Sequence, residues 1–545
     1  MLKKIIDYLK TFKAEVFVFV SSFLFSFWLM FSTFLYEKGY ILIASKAWSD
    51  FASHIPLIRS FSLGINFPPQ YPLFAGAPIK YHFLFYALTG LAEKSGIRID
   101  IALNIFSALG FFFLLIMIYV FSKELFKSKA IGVLSILFFI FNGTLEFIKF
   151  FVIHPISVHS ISDIIENQKF VSFGPYDGSI ISAFWNLNIY TNQRHLALSY
   201  ALSLFLIYLI LKLDNNKANN IKKSVLVGII LGASFFLNIA VFIMTILILG
   251  SMFLLMRKKR VCIFIVALIA SILAFPQYLY LQSGGSNFQP LINPGYLVLN
   301  LSFLNFLSYW IQNLGLHIFL IPLGFIVATK NERKILISFF TLFIVGNLIQ
   351  FSPEIAANHK FFNYFMIIGV MFSAYCLTRL WRRRNIFKPI VIILIFFSMF
   401  SGIIDFFPIA NDNKIALADY PVNKNVAWII KNTNPNSVFL NTQYLYDDAS
   451  LAGKKIFLGW PYFAWSQGYD TNKRGEIRNL ILTATDKKLS CDLLTRNKID
   501  YIEISPVATN SDNPQISNMY IKSFVTIYHN GINGYRLLSV TKSCL

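Results

Sequence analysis

Long apolar runs separated by short clusters of Lys and Arg recur from residue 16 to residue 408, and this alternation limits the fold more than any motif does. The longest run, 224–256, holds 33 residues without a charged side chain. A helix needs about 20 apolar residues to cross about 30 Å of hydrocarbon. Hydrophobic residues make up 56% of the chain and charged residues 14%, against about 25% charged in soluble domains. A water-soluble enzyme and a disordered chain are excluded. The chain reads as a polytopic α-helical membrane protein.

The formal charge of +22 does not argue for nucleic acid, because of where it sits. Nearly half of the 48 Lys and Arg fall in six clusters beside apolar runs: Lys3 to Lys13, Lys123 to Lys129, Lys212 to Lys223, Arg257 to Arg260, Lys330 to Lys334 and Arg379 to Lys388. That spacing follows the positive-inside rule for cytoplasmic loops. Spans are expected at 16–36, 101–121, 130–150, 196–211, 261–281, 309–329, 335–351, 361–380 and 389–408. The 224–256 run has basic clusters at both ends, so it should hold two passes turning near Asn238. About eleven spans result, with the N-terminus cytoplasmic and every basic cluster inside. The first span lacks a small-residue cleavage site and reads as an anchor.

The outer side then holds 37–98, about 151–195, 282–308, 352–360 and a tail from 409 to 545. Two domains are expected: 1–408 in the membrane and 409–545 as a small extracytoplasmic α/β domain. Strands are expected at Ser437–Asn441, Lys455–Gly459, Ile499–Ile504, Phe524–Tyr528 and Tyr535–Val540, with helices at 443–451, 473–484 and 487–497. Cys491 and Cys544 share this tail and can pair, but four scattered Cys make no disulfide framework.

Charged residues in mid-span mark ion pathways. Here Glu15, Asp100, Glu146 and Asp405 fall near span ends, which argues against an ion-coupled transporter. Seven of the eight His fall on the outer side, at 54, 82, 154, 159, 195, 359 and 529, and only His317 falls in a span. The first outer loop carries Trp48-Ser-Asp50-Phe-Ala-Ser-His54, and on a helix Asp50 and His54 face the same way. Ile55, Ile58 and Phe61 would then lie against the membrane as an interfacial amphipathic helix. A surface Asp–His pair that merely orients a loop is the plainer alternative. A Pro- and Gly-punctuated loop, 66–80, leads to Tyr81-His82 and a short apolar stretch, 81–93, expected as a second juxtamembrane helix.

This arrangement resembles the GT-C superfamily of integral-membrane glycosyltransferases, which includes protein O-mannosyltransferases and lipid A aminoarabinose transferases. As sequence the resemblance is concentrated in 48–85, in Asn192-Gln193-Arg194-His195, in Asn358-His359-Lys360 and in the tail's Gly459-Trp460-Pro461, Gly468-Tyr469-Asp470 and Arg474. It implies a GT-C-like fold with an outer C-terminal domain. It also implies transfer of a sugar from a polyprenyl-phosphate donor to a lipid, glycan or protein acceptor on the outer face of a bacterial or archaeal cell membrane, with inversion. No nucleic acid partner is expected.

In such an enzyme a carboxylate handles the acceptor proton and cations meet the departing phosphate. Asp50 is the acid at the family's position and the expected base, with His54 beside it to orient it, ligate a metal or contact phosphate. A divalent ion, Mg or Mn, on Asp50 and His54 stays open, as does no metal at all. Arg194, His195 and Lys360 are expected to meet the donor phosphate, and Tyr81, His82 and His359 to contact substrate. Asp163, Glu166 and Asp177 supply no assignable second acid. Trp460, Tyr462 and Trp465 suit stacking on a sugar ring, a membrane surface or domain packing equally. A transporter or flippase for a lipid-linked saccharide, or a non-catalytic assembly protein, is the alternative.

Overall fold

The computed structural model describes residues 13–173, 178–213, 218–284, 288–505 and 516–544. Asp177 and the basic residues before Lys13, together with Lys217, lie outside these. Among the described residues, five helices are long and apolar enough to cross a membrane: Lys13–Thr33 (α1), Ile99–Phe126, Arg257–Gln282, Ile355–Trp381 and Phe387–Ala410. The pair Phe303–Leu314 and His317–Val327 makes a sixth if it is one span, but it bends by 88° at Gly315. Gly315 has φ +54, and a Cβ there would stand 2.5 Å from the Gly143 carbonyl oxygen. Only glycine fits.

The count of about eleven full spans is therefore not reproduced by length and composition; five or six helices qualify. Shorter apolar helices occupy Lys129–Ile140, Leu196–Lys212 and Ile239–Leu255. The expected span 130–150 breaks after Ile140 and resumes as Glu146–Ile153. The 224–256 run divides where expected: one helix ends at Ala233 and the next begins at Ile239. Asn238 caps that second helix by accepting from the Val241 N–H.

Basic clusters from distant parts of the sequence meet at one end of the bundle. Glu15, in the first turn of α1, pairs with Lys123 and Lys129, and Glu124 pairs with Lys212. At its other end α1 runs into a hairpin, β1 (Phe34–Glu37) and β2 (Tyr40–Ala44). After the last long helix, β5 (Lys414–Ala418) pairs antiparallel with β2. A two-stranded pair, β3 (Leu291–Ile292) with β4 (Ile349–Gln350), ties two other connections.

Beyond β5 lies a five-stranded sheet of β6 (Val438–Asn441), β7 (Lys455–Ile456), β8 (Tyr501–Ile504), β9 (Val525–Asn530) and β10 (Tyr535–Ser539), in the order β7-β6-β8-β10-β9. The strands at β6 and β7 run parallel, as do β6 and β8, while β8, β10 and β9 are antiparallel. Helices Thr471–Thr483 and Lys487–Arg496 fall within two residues of their expected limits, but the expected helix 443–451 shrinks to Asp448–Leu451. Asp447 starts it by capping the Ser450 N–H. Cys491 and Cys544 form a disulfide, the chemistry of an oxidising compartment.

The first loop and the tail are not independent. One apolar core contains Phe51, Ile55 and Ile58 of the helix Trp48–Ser62 (α2), Phe85 and Tyr86 of the helix Leu84–Lys94 (α3), and Phe439, Ile456, Ile502 and Leu537 of the tail. Ile55 and Ile58 are 0% exposed and covered by protein, so α2 does not rest its apolar face on a bilayer as expected from sequence. Residues 72–75 pair with the β7 segment through Ile456 N–H to Pro72, Ala75 N–H to Ile456 and Gly459 N–H to Leu73. Gly64 and Gly453 meet so closely that a Cβ on Gly64 would lie 2.4 Å from the Gly453 carbonyl oxygen.

At the centre of this junction is Arg59 of α2. Its guanidinium grips Asp419 with both terminal nitrogens, at 2.7 and 3.2 Å, and its Nε lies 2.9 Å from Glu93 of α3. All three side chains are buried. Arg59→Ala would leave two buried carboxylates without a counter-charge, which costs about 3–5 kcal/mol. The expected outcome is a lower unfolding midpoint of the detergent-solubilised protein and early proteolysis between 409 and 440; Arg59→Lys should recover part of the loss. Removing the disulfide by Cys491→Ser should lower the midpoint as well, by about 2–4 kcal/mol.

Candidate active site

Four separate stretches deliver the candidate residues to one place at the end of the bundle away from the basic clusters. The first is α2. Asp50 lies in its first turn, where the helix dipole favours a carboxylate. Burial acts the other way and pushes Asp50 up to about 6, with Lys360 pulling it back down. No described residue donates a hydrogen bond to its carboxylate; the Ser53 hydroxyl donates to its backbone oxygen instead. His54, one turn on, stacks on Tyr86 with ring centroids 4.6 Å apart, and its Nδ1 is buried without a partner. Burial, then the charge of Arg194, lowers His54 to about 3, so the ring is neutral.

The second and third stretches are 81–86 and 193–195. His82 Nε2 lies 2.6 Å from His195 Nε2, and the Tyr86 hydroxyl lies 2.9 Å from His195 Nδ1. Two proton assignments satisfy both contacts. In one, Tyr86 donates to His195 Nδ1, His195 donates from Nε2 and His82 carries an Nδ1–H; in the other, His82 donates from Nε2, His195 donates from Nδ1 to Tyr86, and His82 Nδ1 is an acceptor. In either case that Nδ1 is buried and has no protein partner. Burial, reinforced by His195 and Lys360, holds His82 far below the ordinary imidazole value, so it stays neutral.

The fourth stretch is 358–360, where a short turn feeds the helix His359–Trp381. The Asn358 amide fixes the turn by donating to the carbonyls of Gly346 and Ile349. His359 binds Asn363 through Nδ1 at 2.8 Å and stacks on Phe184. Lys360 is buried, yet its ammonium donates only to the Tyr81 hydroxyl, at 3.0 Å, and no described carboxylate pairs with it. Its charge reaches Asp50, His82, His195 and His359. A buried cation without a carboxylate is expensive unless an anion arrives.

Arg194 behaves differently from the expectation that it meets phosphate. It is fully buried, and its guanidinium is spent inside the protein: Nε on the Thr191 carbonyl, and the terminal nitrogens on Thr33 Oγ1, Asn104 Oδ1 and the Met30 carbonyl. It ties the end of α1 to the helix Ile99–Phe126 and to the turn before His195. Its positioning of His195, and its field on His54, are what it contributes.

The donor set does not complete a protein-held metal site. Asp50 and His54 offer two ligands, and no group of three His, Cys, Asp or Glu able to hold an ion occurs among the described residues. Sequence reading missed Tyr86, which fixes His195 and carries His54, and Arg59, which fixes α2; both stand one helical turn or so from residues already singled out. Glu146 and Asp405, which the sequence places near span ends, have buried side chains that accept from the Ser172 N–H and the Asn186 amide respectively. Asp163 and Glu166 lie on or beside a short helix, Ser160–Ile165, that has no buried residue.

The same architecture is present in solved structures. An oligosaccharyltransferase of Archaeoglobus fulgidus, tethered to an acceptor peptide containing the NVT sequon, superposes with a TM-score of 0.52 at 12% identity, covering 97% of this chain and 74% of that one. The archaeal oligosaccharyltransferase AglB of the same organism, in complex with an inhibitory peptide and a dolichol-phosphate, gives 0.51 at 11% identity, with coverages of 97% and 74%. The arabinofuranosyltransferase AftD from Mycobacteria gives 0.53 at 10% identity over 96% of this chain, which spans 40% of that longer protein. The chain shares the fold of these GT-C glycosyltransferases. No protein-family model and no curated protein matches its sequence. The GT-C likeness thus rests on shape over nearly the whole chain, at identities of 10–12%.

The contrast between the two buried cations is testable. Arg194→Ala should reduce the yield of folded protein, because carbonyls of 30 and 191 lose their partner. Lys360→Ala should leave the unfolding midpoint within about 1 kcal/mol of wild type or raise it, since it removes an unpaired buried charge. Thermal unfolding of both variants in detergent checks this.

Proposed function

We propose that the protein is an inverting glycosyltransferase that moves a sugar from a polyprenyl-phosphate carrier to an acceptor hydroxyl on the outer face of the cell membrane. The observation that carries this reading is an unpartnered Asp50 carboxylate within reach of the charge of Lys360, a buried cation that no described carboxylate pairs. The GT-C fold supports it. Basic residues support this orientation: Lys123, Lys129 and Lys212 meet at the end of the bundle away from Asp50, and the positive-inside rule favours that end as cytoplasmic.

In this reading Asp50 accepts the proton of the acceptor hydroxyl as its oxygen attacks the anomeric carbon. The bond from that carbon to the phosphate oxygen breaks, and polyprenyl phosphate departs with the electron pair. Lys360 meets the charge growing on the phosphate. Tyr81 holds the Lys360 ammonium in place. With Tyr86 donating to His195 and His195 to His82, His82 offers an Nδ1–H to the phosphate or the sugar. His54 remains neutral and contacts substrate beside Asp50. A base whose value lies near 6 suits proton abstraction at neutral pH far better than an ordinary Asp near 3.9.

Transfer from a panel of radiolabelled polyprenyl-phosphate sugars into membrane extract tests the reading, with wild type beside Asp50→Asn and with or without chelator. Wild type should transfer, and Asp50→Asn should lose at least about a hundredfold. Because the raised Asp50 must be ionised to act, kcat/KM should fall tenfold per pH unit below about 6 and level off above it. Transfer that survives in Asp50→Asn would remove Asp50 from the mechanism. Absence of turnover with every donor, with donor binding intact, would favour a carrier.

A further inference from the structure

The aromatic segment Trp460–Trp465 is not used by the transfer chemistry, and its placement gives it a role. The short helix Pro461–Ser466 buries Phe463 and Ala464 in the tail and turns Tyr462 and Trp465 outward, at 46% and 40% exposure. Their rings stand side by side, with centroids 5.9 Å apart and planes 38° from parallel. Trp460, at the cap, is braced edge-on by Tyr444, which in turn lies under the Arg478 guanidinium. The two outward rings are therefore held on a rigid base.

This shelf reaches the catalytic segment through one carboxylate. The Tyr462 hydroxyl donates to Glu354 Oε2 at 3.3 Å, while Oε1 of the same group accepts the Ala356 N–H. Glu354 stands at the N-terminal end of the turn that carries His359 and Lys360. No described cation pairs with it, so an acidic group sits beside two exposed rings with acceptor capacity to spare. A pyranose or furanose presents an apolar C–H face and a rim of hydroxyl donors. Flat aromatic surface flanked by an unpaired carboxylate matches both. Acyl chains would match the rings but leave the Glu354 charge against hydrocarbon.

We propose that Tyr462, Trp465 and Glu354 form a binding shelf for saccharide units of the acceptor, at the start of the turn that leads to His359 and Lys360. This rests on the glycosyltransferase reading for the word acceptor, but sugar binding itself does not depend on turnover. The shelf would grip a ring one or more units away from the reacting hydroxyl, so an acceptor longer than a monosaccharide is implied.

The test uses the full-length protein in nanodiscs and soluble oligosaccharide series (manno-, galacto-, gluco-, arabino- and N-acetylglucosamine oligomers), with tryptophan fluorescence and calorimetry as readouts. At least one series should bind wild type and Asp50→Asn alike. Trp465→Ala should weaken that binding about tenfold or more, and Glu354→Gln should weaken it while leaving the unfolding midpoint in place. Trp465→Phe should restore part of the affinity. Binding by no series, or binding unchanged in Trp465→Ala, overturns the proposal. So does fluorescence quenching by brominated nanodisc lipids that is lost in Trp465→Ala while oligosaccharide binding is kept, which would make the shelf a membrane contact. Sugar binding that persists in a protein without transferase activity would keep the shelf and reject the reaction.

Discussion

The organisation of the outer half depends on one buried cation, Arg59. Its side chain touches the first loop's second helix and the C-terminal domain together, through Glu93, Asp419 and the Leu451 carbonyl, from its own place on the first. Its charges do not come free. Burial pushes Glu93 up even with Arg59 beside it, so the pair recovers only part of its desolvation cost. What the triad supplies is geometry. It fixes the rotation of α2 about its axis, and Asp50 lies on that helix nine positions ahead, so the heading of the Asp50 carboxylate follows from where Arg59 is held.

A second buried cation has the opposite character. Lys360 lacks the carboxylates that Arg59 has, and its one protein partner is a phenol. Side by side these residues show how burial alone does not separate structure from function. Arg59 and Arg194 are buried with all or most donors engaged, whereas Lys360 is buried with donors to spare. Asp50 mirrors Lys360 in having no donor, and the two sit in each other's field. Such a pair is poised for a charged or hydroxylated guest.

Much of this was legible in the sequence because apolar runs and charge clusters act locally. The division of 224–256 at Asn238 follows from basic residues at both flanks, and the five tail strands follow from short apolar runs between turn formers. The grouping of Asp50, His54, His82, His195, His359 and Lys360 was also reachable, since each stands where an apolar stretch meets an outer segment. Other features depend on partners remote in sequence. A helix with Ile55 and Ile58 on one side reads as membrane-facing until a domain from beyond residue 420 is seen to cover it. Arg194 reads as a free cation until Met30, Thr33 and Asn104 arrive from other helices. The 88° bend at Gly315 needs the backbone of Gly143 pressed against it, which no window of local hydropathy contains.

The core shared by loop and tail has a consequence for biosynthesis. Lys46 takes its partner from Asp412, 366 residues later, and Arg59 takes its partner from Asp419, 360 residues later. At about 5–20 residues per second, the first outer loop emerges roughly 20–70 s before the surface that buries it. During that interval Phe51, Ile55, Ile58 and the edge of β2 stand uncovered. The nascent loop must therefore be sheltered, by the bilayer surface or by chaperones, until the last strand-forming segment completes the sheet.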